Sequence, residues 1–226
     1  MAEVGDQTPM QDEPATLRQA LAEQQRIEAE LRATIAAQDQ AFRKLSHRLK
    51  NNLQLVISIV SLRLSALRDP ASRHELEDLL SKIHALALIQ KKLHDGGRLL
   101  AVEFDGFLDE LTAVLERPQA ARRIALELEP VAISIERAVP LGLIANELIA
   151  MATATADQTL TVTLARQAGK VVLAIGPIAS AALEAPGRPD LGMPLVRALA
   201  RQAQAELTID GAPPTVRLSF DPDPPG

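Results

Sequence analysis

The sequence predicts an α+β protein, in which an N-terminal helical hairpin precedes a domain of helices and β-hairpins. No helix-breaking residue occurs between Ala15 and about Arg68, and a second helical pattern follows Asp69-Pro70. Beyond Gly97, short alternating segments are interleaved with helical ones. We therefore predict a disordered N-terminus (1–13), a helical hairpin (14–97), a sheet domain (98–220) and a disordered tail (221–226).

The first predicted helix carries one apolar stripe along its C-terminal half. Gaps of three and four residues separate most of the apolar positions, namely Phe42, Leu45, Leu49, Leu53, Val56, Ile57, Val60, Leu64 and Leu67. The spaced series extends upstream through Leu17, Leu21, Ile27, Leu31 and Ile35. Because one small core cannot hold so long a helix, we expect part of it to form a dimeric coiled coil.

The second predicted helix runs to about His94, and Asp95-Gly96-Gly97 ends it. Ser72 is the expected N-cap, with Glu75 three residues later completing a capping box. Two such hairpins from two chains would form a dimeric four-helix bundle.

The region after Gly97 predicts one mixed sheet covered on one face by helices. The predicted helices are Phe104–Leu115, a helix from a first turn containing Pro140 to about Thr155, and Leu191–Gln204. The predicted strands are Ile124–Leu128, Val131–Ile135, Thr159–Ala165, Lys170–Ile175, Glu206–Asp210 and Val216–Phe220. Ala179–Pro189 is predicted to be a loop.

Composition excludes several functional classes. A net charge of −5 argues against nucleic-acid binding by phosphate neutralisation, and the absence of cysteine excludes disulfides and Cys-ligated metal. No apolar run approaches the roughly 20 residues of a membrane span, and the acidic N-terminus lacks a signal-peptide pattern. We therefore expect a cytoplasmic protein that acts without membrane contact.

His47 lies opposite the apolar stripe. Arg43, Lys44, Lys50 and Asn51 are four before, three before, three after and four after it, hence on its face of the helix. Cations and an amide could hold the oxygens of a phosphoryl group carried on the imidazole. Spacing alone favours the simpler interpretation, a solvated polar face, because amphipathic helices normally have one.

The segment HRLKNNLQLVISIVSLRL resembles the phospho-acceptor box of the HisKA_2 class of sensor histidine kinases. The match to His-Arg-x-Lys-Asn-Asn-Leu-Gln is contiguous from His47 to Gln54 and includes Arg48. IHALALIQKKLH resembles the second dimerisation helix of that class. RIALELEPVAISIERAVPLGLIANELIA and LGMPLVRALARQAQAELTID resemble parts of its GHKL-type ATP-binding domain. The resemblance covers about residues 40–220 and implies the fold of a histidine kinase core.

The sequence departs from that class where nucleotide should bind. The ATP-binding motif begins at Asn146-Glu147, but Met151 replaces the Mg²⁺-binding Asn, and a thioether is a poor Mg²⁺ ligand. The adenine-reading Asp-x-Gly-x-Gly corresponds to the segment from Ala174, in which Gly176 remains and the Asp is absent. The later glycine motif is Asp190-Leu191-Gly192, which places a carboxylate near phosphate, and the lid is reduced to Ala179–Pro189. The resemblance thus predicts a degenerate pocket, with neither a nucleotide cofactor nor a metal.

Lys44 is a further departure, because the class usually carries an acidic residue three before the histidine. An acidic residue there could help deprotonate the imidazole during phosphorylation from ATP. A cation at this position instead suits holding a phosphoryl group.

These features together predict a homodimeric histidine phosphotransferase of a two-component phosphorelay. His47 would carry phosphate between receiver aspartates, Arg43, Lys44, Arg48 and Lys50 would balance charge, and Asn51 could position water for dephosphorylation of the regulator. Mg²⁺ would be bound only by the partner receiver. Two alternatives stay open: an ATP-dependent HisKA_2 kinase with a divergent pocket, and a non-catalytic dimeric scaffold.

Overall fold

The computed structural model describes residues 13–95, 101–115, 123–153, 159–184 and 192–222. The chain divides into two compact units, residues 1–47 and 48–226. The described part of the first unit is helical throughout. The predicted disordered ends lie almost wholly outside the described residues, although Glu13 already begins a helix. Residues 96–100, which include the predicted boundary between the two domains, and part of the predicted lid also lie outside them.

The two predicted N-terminal helices are confirmed: α1 spans Glu13–Ala66 and α2 spans Pro70–Asp95. The predicted cap of α2 is wrong. The Asp69 carboxylate accepts hydrogen bonds from the Ser72 backbone N–H and from its hydroxyl, at 2.9 and 2.6 Å. Asp69 is therefore the N-cap, and Pro70 occupies the first helical position, where its missing N–H costs nothing. The hydrogen bonds with Ser72 lower the pKa of the Asp69 carboxyl.

The second unit continues with four helices and seven strands among the described residues. The helices are α3 (Phe104–Leu115), α4 (Ile135–Thr153), α5 (Ser180–Glu184) and α6 (Gly192–Gln202). The strands are β1 (Ala101–Glu103), β2 (Ile124–Leu128), β3 (Ala132–Ser134), β4 (Leu160–Gln167), β5 (Lys170–Gly176), β6 (Glu206–Asp210) and β7 (Thr215–Phe220).

Two predictions about these elements are wrong, and one strand is not predicted from the sequence. Pro140 lies inside α4 and not in its first turn, because the helix begins five residues earlier at Ile135. The first part of the predicted loop Ala179–Pro189 forms the short helix α5. The strand β1 was not predicted, since three residues carry too little alternation to be recognised.

The predicted mixed sheet is confirmed as five strands in the order β2-β4-β5-β7-β6. Only β2 and β4 pair in parallel, while the other neighbours are antiparallel. The strands β1 and β3 form a separate antiparallel pair, in which Val102 lies opposite Ile133. Burial alternates along β4 and β7, so the sheet has one buried face. The helices α4 and α6 pack on each other and on the sheet.

The core of this unit is aliphatic and contains three buried phenylalanines. Phe104 and Phe107 stack at 5.3 Å between ring centroids, and Phe220 closes the far end of β7. The helix α4 lies at the centre, because its buried side chains face α3, α6 and the sheet. The helix α2 also packs against α3 and α4, so it adds to this core. No helix in the described ranges has the length and apolar character of a membrane span.

Candidate functional site

Helix α1 carries all six residues predicted for phosphoryl transfer, and all six are exposed. The residues are Arg43, Lys44, His47, Arg48, Lys50 and Asn51. Residues three and four apart share a face of an α-helix, so the continuous helix keeps the spacing that the prediction requires. Arg43, Lys44, Lys50 and Asn51 therefore share the face of His47, whereas Arg48 lies one residue after it.

One carboxylate accompanies this basic surface. Asp39 Oδ2 lies 3.7 Å from Arg43 Nη2, an exposed pair four residues apart that contributes little to stability. The positive charge of the Arg43 guanidinium is thus partly neutralised by the Asp39 carboxylate. The sequence prediction did not include Asp39, although its spacing from Arg43 is that of a helical ion pair.

The residues at the predicted nucleotide site occupy different environments. Met151 and Ala174 are buried, with 3% and 4% of their surface exposed. A Cβ at Gly176 would meet Thr215 Oγ1 at 2.5 Å and Thr215 Cα at 2.8 Å, so this glycine permits close backbone approach. Gly192 begins α6 with a φ of +37°, a left-handed value that favours glycine. Asp190 lies outside the described residues.

Asn146 and Glu147, which begin the ATP-binding motif by resemblance, contact α2. The Ser81 hydroxyl donates a hydrogen bond to Asn146 Oδ1 at 2.9 Å, and Lys82 Nζ lies 3.0 Å from Glu147 Oε2. Lys82 also donates a hydrogen bond to the Asp78 carboxylate. Asn146 and Glu147 are 0% and 5% exposed, so their polar groups depend on these partners.

Lys82 is held in its charged form by this arrangement. Burial alone would lower the pKa of the Lys82 ammonium, but the carboxylates of Asp78 and Glu147 outweigh burial and raise it above its ordinary value. Lys82 and Glu147 form an ion pair that joins α2 to α4. Within the described residues, Asn146 Nδ2 is buried and donates no hydrogen bond.

Sequence reasoning missed this contact between α2 and α4. Ser81 and Lys82 are polar residues on an amphipathic helix, and such residues usually face solvent. Their partners lie 65 residues away in sequence, so no local pattern indicates the pairing. A spacing of three or four residues does place Asp78, Ser81 and Lys82 on the face that continues through Ala85 and Ile89.

The described residues offer one candidate reactive group. His47 presents an exposed imidazole on a helix rich in cations, which suits the transfer of a phosphoryl group. No group of three or more His, Asp or Glu side chains in the described ranges is arranged to hold a metal ion.

Comparison with known proteins gives a family match over part of the chain. Residues 44–118 match the HisKA_2 family model, described as histidine kinase. The HisKA_2 match includes all of α2 and, from α1, His47 together with Lys44, Arg48, Lys50 and Asn51. No curated protein matches the sequence.

Among solved structures, the fold is similar to the histidine kinase domain of the Erythrobacter litoralis EL346 blue-light activated histidine kinase. The TM-score is 0.56 at 16% identity, covering 75% of this chain and 95% of that domain. The longer EL346 structure gives a TM-score of 0.55 at 16% identity and is covered over 58% of its length. The HisKA_2 match and the histidine kinase fold together support a role in two-component signalling.

Proposed function

We propose that this protein is a histidine phosphotransferase of a two-component phosphorelay. A ring nitrogen of His47 attacks the phosphorus of a receiver aspartyl phosphate, so that an N–P bond forms as the P–O bond breaks. The receiver carboxylate leaves. A second receiver aspartate then takes the phosphoryl group by the reverse exchange of bonds, and His47 is regenerated. Mg²⁺ belongs to the receiver in both steps.

The observation that carries the proposal is the exposure of His47 among cations on α1. Phosphoryl transfer depends mainly on positioning and on balancing charge over the phosphoryl oxygens. Lys44, Arg48 and Lys50 are exposed on the same helix and supply that charge. The HisKA_2 match, which spans these residues, supports the assignment of His47 as the phospho-acceptor.

The state of the ATP-binding motif supports transfer from a receiver over transfer from ATP. Met151 and Ala174 stand where the family has an Mg²⁺ ligand and an adenine-reading carboxylate, and both are buried. Losing one buried hydrogen bond to a ligand costs about 1–3 kcal/mol, which is roughly fivefold to more than a hundredfold in affinity. Asn146 and Glu147, which begin the same motif, contact α2.

The test is incubation with phosphorylated receivers, followed by measurement of label on the chain. We expect acid-labile, alkali-stable label on the unmodified protein and none on His47→Gln. The matched control is His84→Gln, because His84 is another exposed histidine on a neighbouring helix. Label that persists in His47→Gln, or no label on the unmodified protein with any receiver, would exclude the assignment. If the unmodified protein acquires no label but still binds a receiver stably, the result would favour a non-catalytic scaffold.

A second candidate is an ATP-dependent histidine kinase, because the matching family model and the similar structures are those of kinases. Calorimetric titration with Mg-ATP distinguishes the two functions. We expect no binding at millimolar nucleotide. Micromolar binding together with labelling of His47 from ATP would establish the kinase.

The proposed phosphotransferase acts as a cytoplasmic homodimer, and Asn51 gives it a second activity. An amide four residues after His47 lies on the same helical face and can position water near a docked aspartyl phosphate. Asn51→Ala should therefore slow dephosphorylation of the receiver while His47 is still labelled. Equal loss of both activities would argue against a separate role for Asn51.

A further inference from the structure

One face of helix α2 packs against the sheet domain of its own chain. Ala85 and Ile89 are fully buried and Leu93 nearly so, at spacings of four residues. Toward the start of α2, this face continues through Lys82 and Asp78, so its buried stripe changes from apolar to charged. The apolar residues Leu79 and Ile83 lie on a different face and remain at least partly exposed.

The polar end of this face is neutralised by α4. Lys82 lies between two carboxylates, Asp78 on its own helix and Glu147 on α4, and only 18% of its side chain is exposed. A charge buried to this degree requires a partner, because desolvation is otherwise too costly. Ser81 adds a directional hydrogen bond to Asn146, which fixes the rotation of α2 as well as its depth.

The apolar end of the face is packed too closely to slide. A Cβ at Gly142 in α4 would meet Ile89 Cδ1 at 2.7 Å and Phe107 Cζ at 2.9 Å. Two further ion pairs, from Lys91 at 2.9 Å and Lys92 at 2.6 Å, join α2 to Glu110 of α3. The boundary between the two compact units of the chain follows His47, so α2 belongs to the same unit as the sheet domain. This agrees with close packing of α2 on that domain.

We propose that Ser81, Lys82, Asn146 and Glu147 form a latch that fixes the sheet domain on α2 in one orientation. A kinase domain that delivers ATP must move relative to the helices it serves. Here the residues that begin the ATP-binding motif hold the domain in place. The domain therefore acts as a rigid support for α2, and Glu147 is a docking residue. This proposal goes beyond phosphotransfer and does not require it.

Spin-label distance measurement tests the latch, and the cysteine-free chain allows unique labelling. Labels on His84→Cys in α2 and Arg197→Cys in α6 occupy exposed positions. Dilution with unlabelled chain restricts the signal to distances within one chain. We expect one narrow distance distribution, unchanged by Mg-ATP. Lys82→Met should broaden it at least twofold, because Glu147 then loses its cation.

The control is Lys170→Met, which removes an exposed lysine 3.8 Å from Glu206 and should leave the distribution narrow. A broad distribution in the unmodified chain, a shift on adding Mg-ATP, or no difference between Lys82→Met and the control would each overturn the latch.

If Lys82→Met does not fold, hydrogen exchange on the unmodified protein shows whether α2 is fixed on the sheet domain. Amides of Ala85–Leu93 should then exchange as slowly as those of the central strand β5, and exchange a hundredfold faster would refute a fixed α2. Labelling of His47 by receivers is measured separately, so failure of the latch and failure of the phosphotransferase are distinguishable.

Discussion

At the scale of single residues, four exposed basic side chains lie within four residues of His47 on helix α1. Lys44 is exposed three residues before the histidine, where the family usually has an acid. One unit charge about 4 Å from another in water is worth about 1 kcal/mol, or about fivefold in a rate. The identity of residue 44 should therefore affect the rate of transfer directly.

Replacing Lys44 tests this effect. We expect Lys44→Gln to slow labelling of His47 by a phosphorylated receiver about fivefold, and Lys44→Glu to slow it about thirtyfold, because the carboxylate repels the phosphoryl oxygens. Rapid-quench labelling measures both rates. Arg18→Gln is the control, since it removes an exposed cation from the same helix far from His47. A faster rate in Lys44→Glu would indicate a base at this position, as in an ATP-dependent kinase.

Glu110 gives a residue-scale prediction about pH. Hydrogen bonds from Lys92 and Lys91 lower the pKa of Glu110 below its ordinary value of 4.5. A lowered carboxyl pKa adds stability above about pH 4.5, and this stability is lost as pH falls through the lowered pKa. Because the group is partly exposed, we expect about 0.5–1 kcal/mol.

Thermal unfolding of Glu110→Gln should therefore show a lower midpoint than the unmodified chain at pH 7, and the two midpoints should converge toward pH 3. Glu75→Gln, at an exposed glutamate on α2, serves as the control. A difference that grows as the solution is acidified would contradict the assigned sign.

The residues that carry function differ in how far sequence predicts them. His47 and its neighbours are recognisable because their pattern is contiguous and lies on one helix. The pairing of Lys82 with Glu147 is not recognisable, since it depends on how α2 packs against α4. Local rules fix which face a residue occupies, and only the tertiary fold fixes what lies opposite.

At the scale of elements, α2 is the helix whose two faces have different roles. One face is buried against α3 and α4, and the other keeps Leu79 47% exposed. A sequence pattern shows that a helix is amphipathic, but it does not show which other elements each apolar face contacts. The end of α2 is therefore predictable within one residue and its start within three, whereas its membership of the sheet-domain core is not predictable.

Three features of the elements differ from the sequence prediction. Asp69 caps α2 because Pro70 suits the first helical position, whereas the sequence prediction places the cap at Ser72. Pro140 sits inside α4, contrary to the usual preference for the first turn. The strand β1 is stabilised by pairing with β3 and not by its own three residues.

The close contact at Gly142 gives a prediction at this scale. Gly142→Ala should lower the free energy of unfolding by about 1–2 kcal/mol, since the new methyl overlaps Ile89 and the rigid Phe107 ring and outweighs the gain in helix propensity. Denaturant unfolding measures the change.

Gly106→Ala is the matched control within another helix, because its Cβ would meet only the end of the Lys92 side chain, with Nζ at 3.2 Å and Cε at 3.9 Å. That substitution should be neutral or slightly stabilising. Equal effects at the two glycines would show that α2 is not tightly packed on α4.

At the scale of the whole molecule, the first unit is a helix with an unusual amount of exposed apolar surface. Leu31, Ile35 and Leu45 are 58%, 51% and 63% exposed in the single chain. With Phe42, they occupy the a and d positions of successive heptads, because the steps between them are four, seven and three residues. Contiguous exposed apolar surface of this kind marks an interaction site, and heptad spacing favours a second copy of the same helix.

We therefore expect the unmodified protein to sediment at twice 24.3 kDa and Leu31→Lys/Ile35→Lys at 24.3 kDa. Burying each of these side chains is worth about 1.5–3 kcal/mol, so losing both from two chains removes at least about 6 kcal/mol and weakens association roughly 10⁴-fold. The control Ala33→Lys/Ala37→Lys adds the same charge at outer heptad positions and should remain dimeric. Gly142 and Glu147 lie outside this helix, so dimerisation should not affect their contacts with α2. In the monomeric variant, Gly142→Ala should therefore still lower the free energy of unfolding of the sheet domain. A protein that is monomeric before any substitution would remove the dimer from the proposed function while leaving the chemistry of His47 to be tested by labelling.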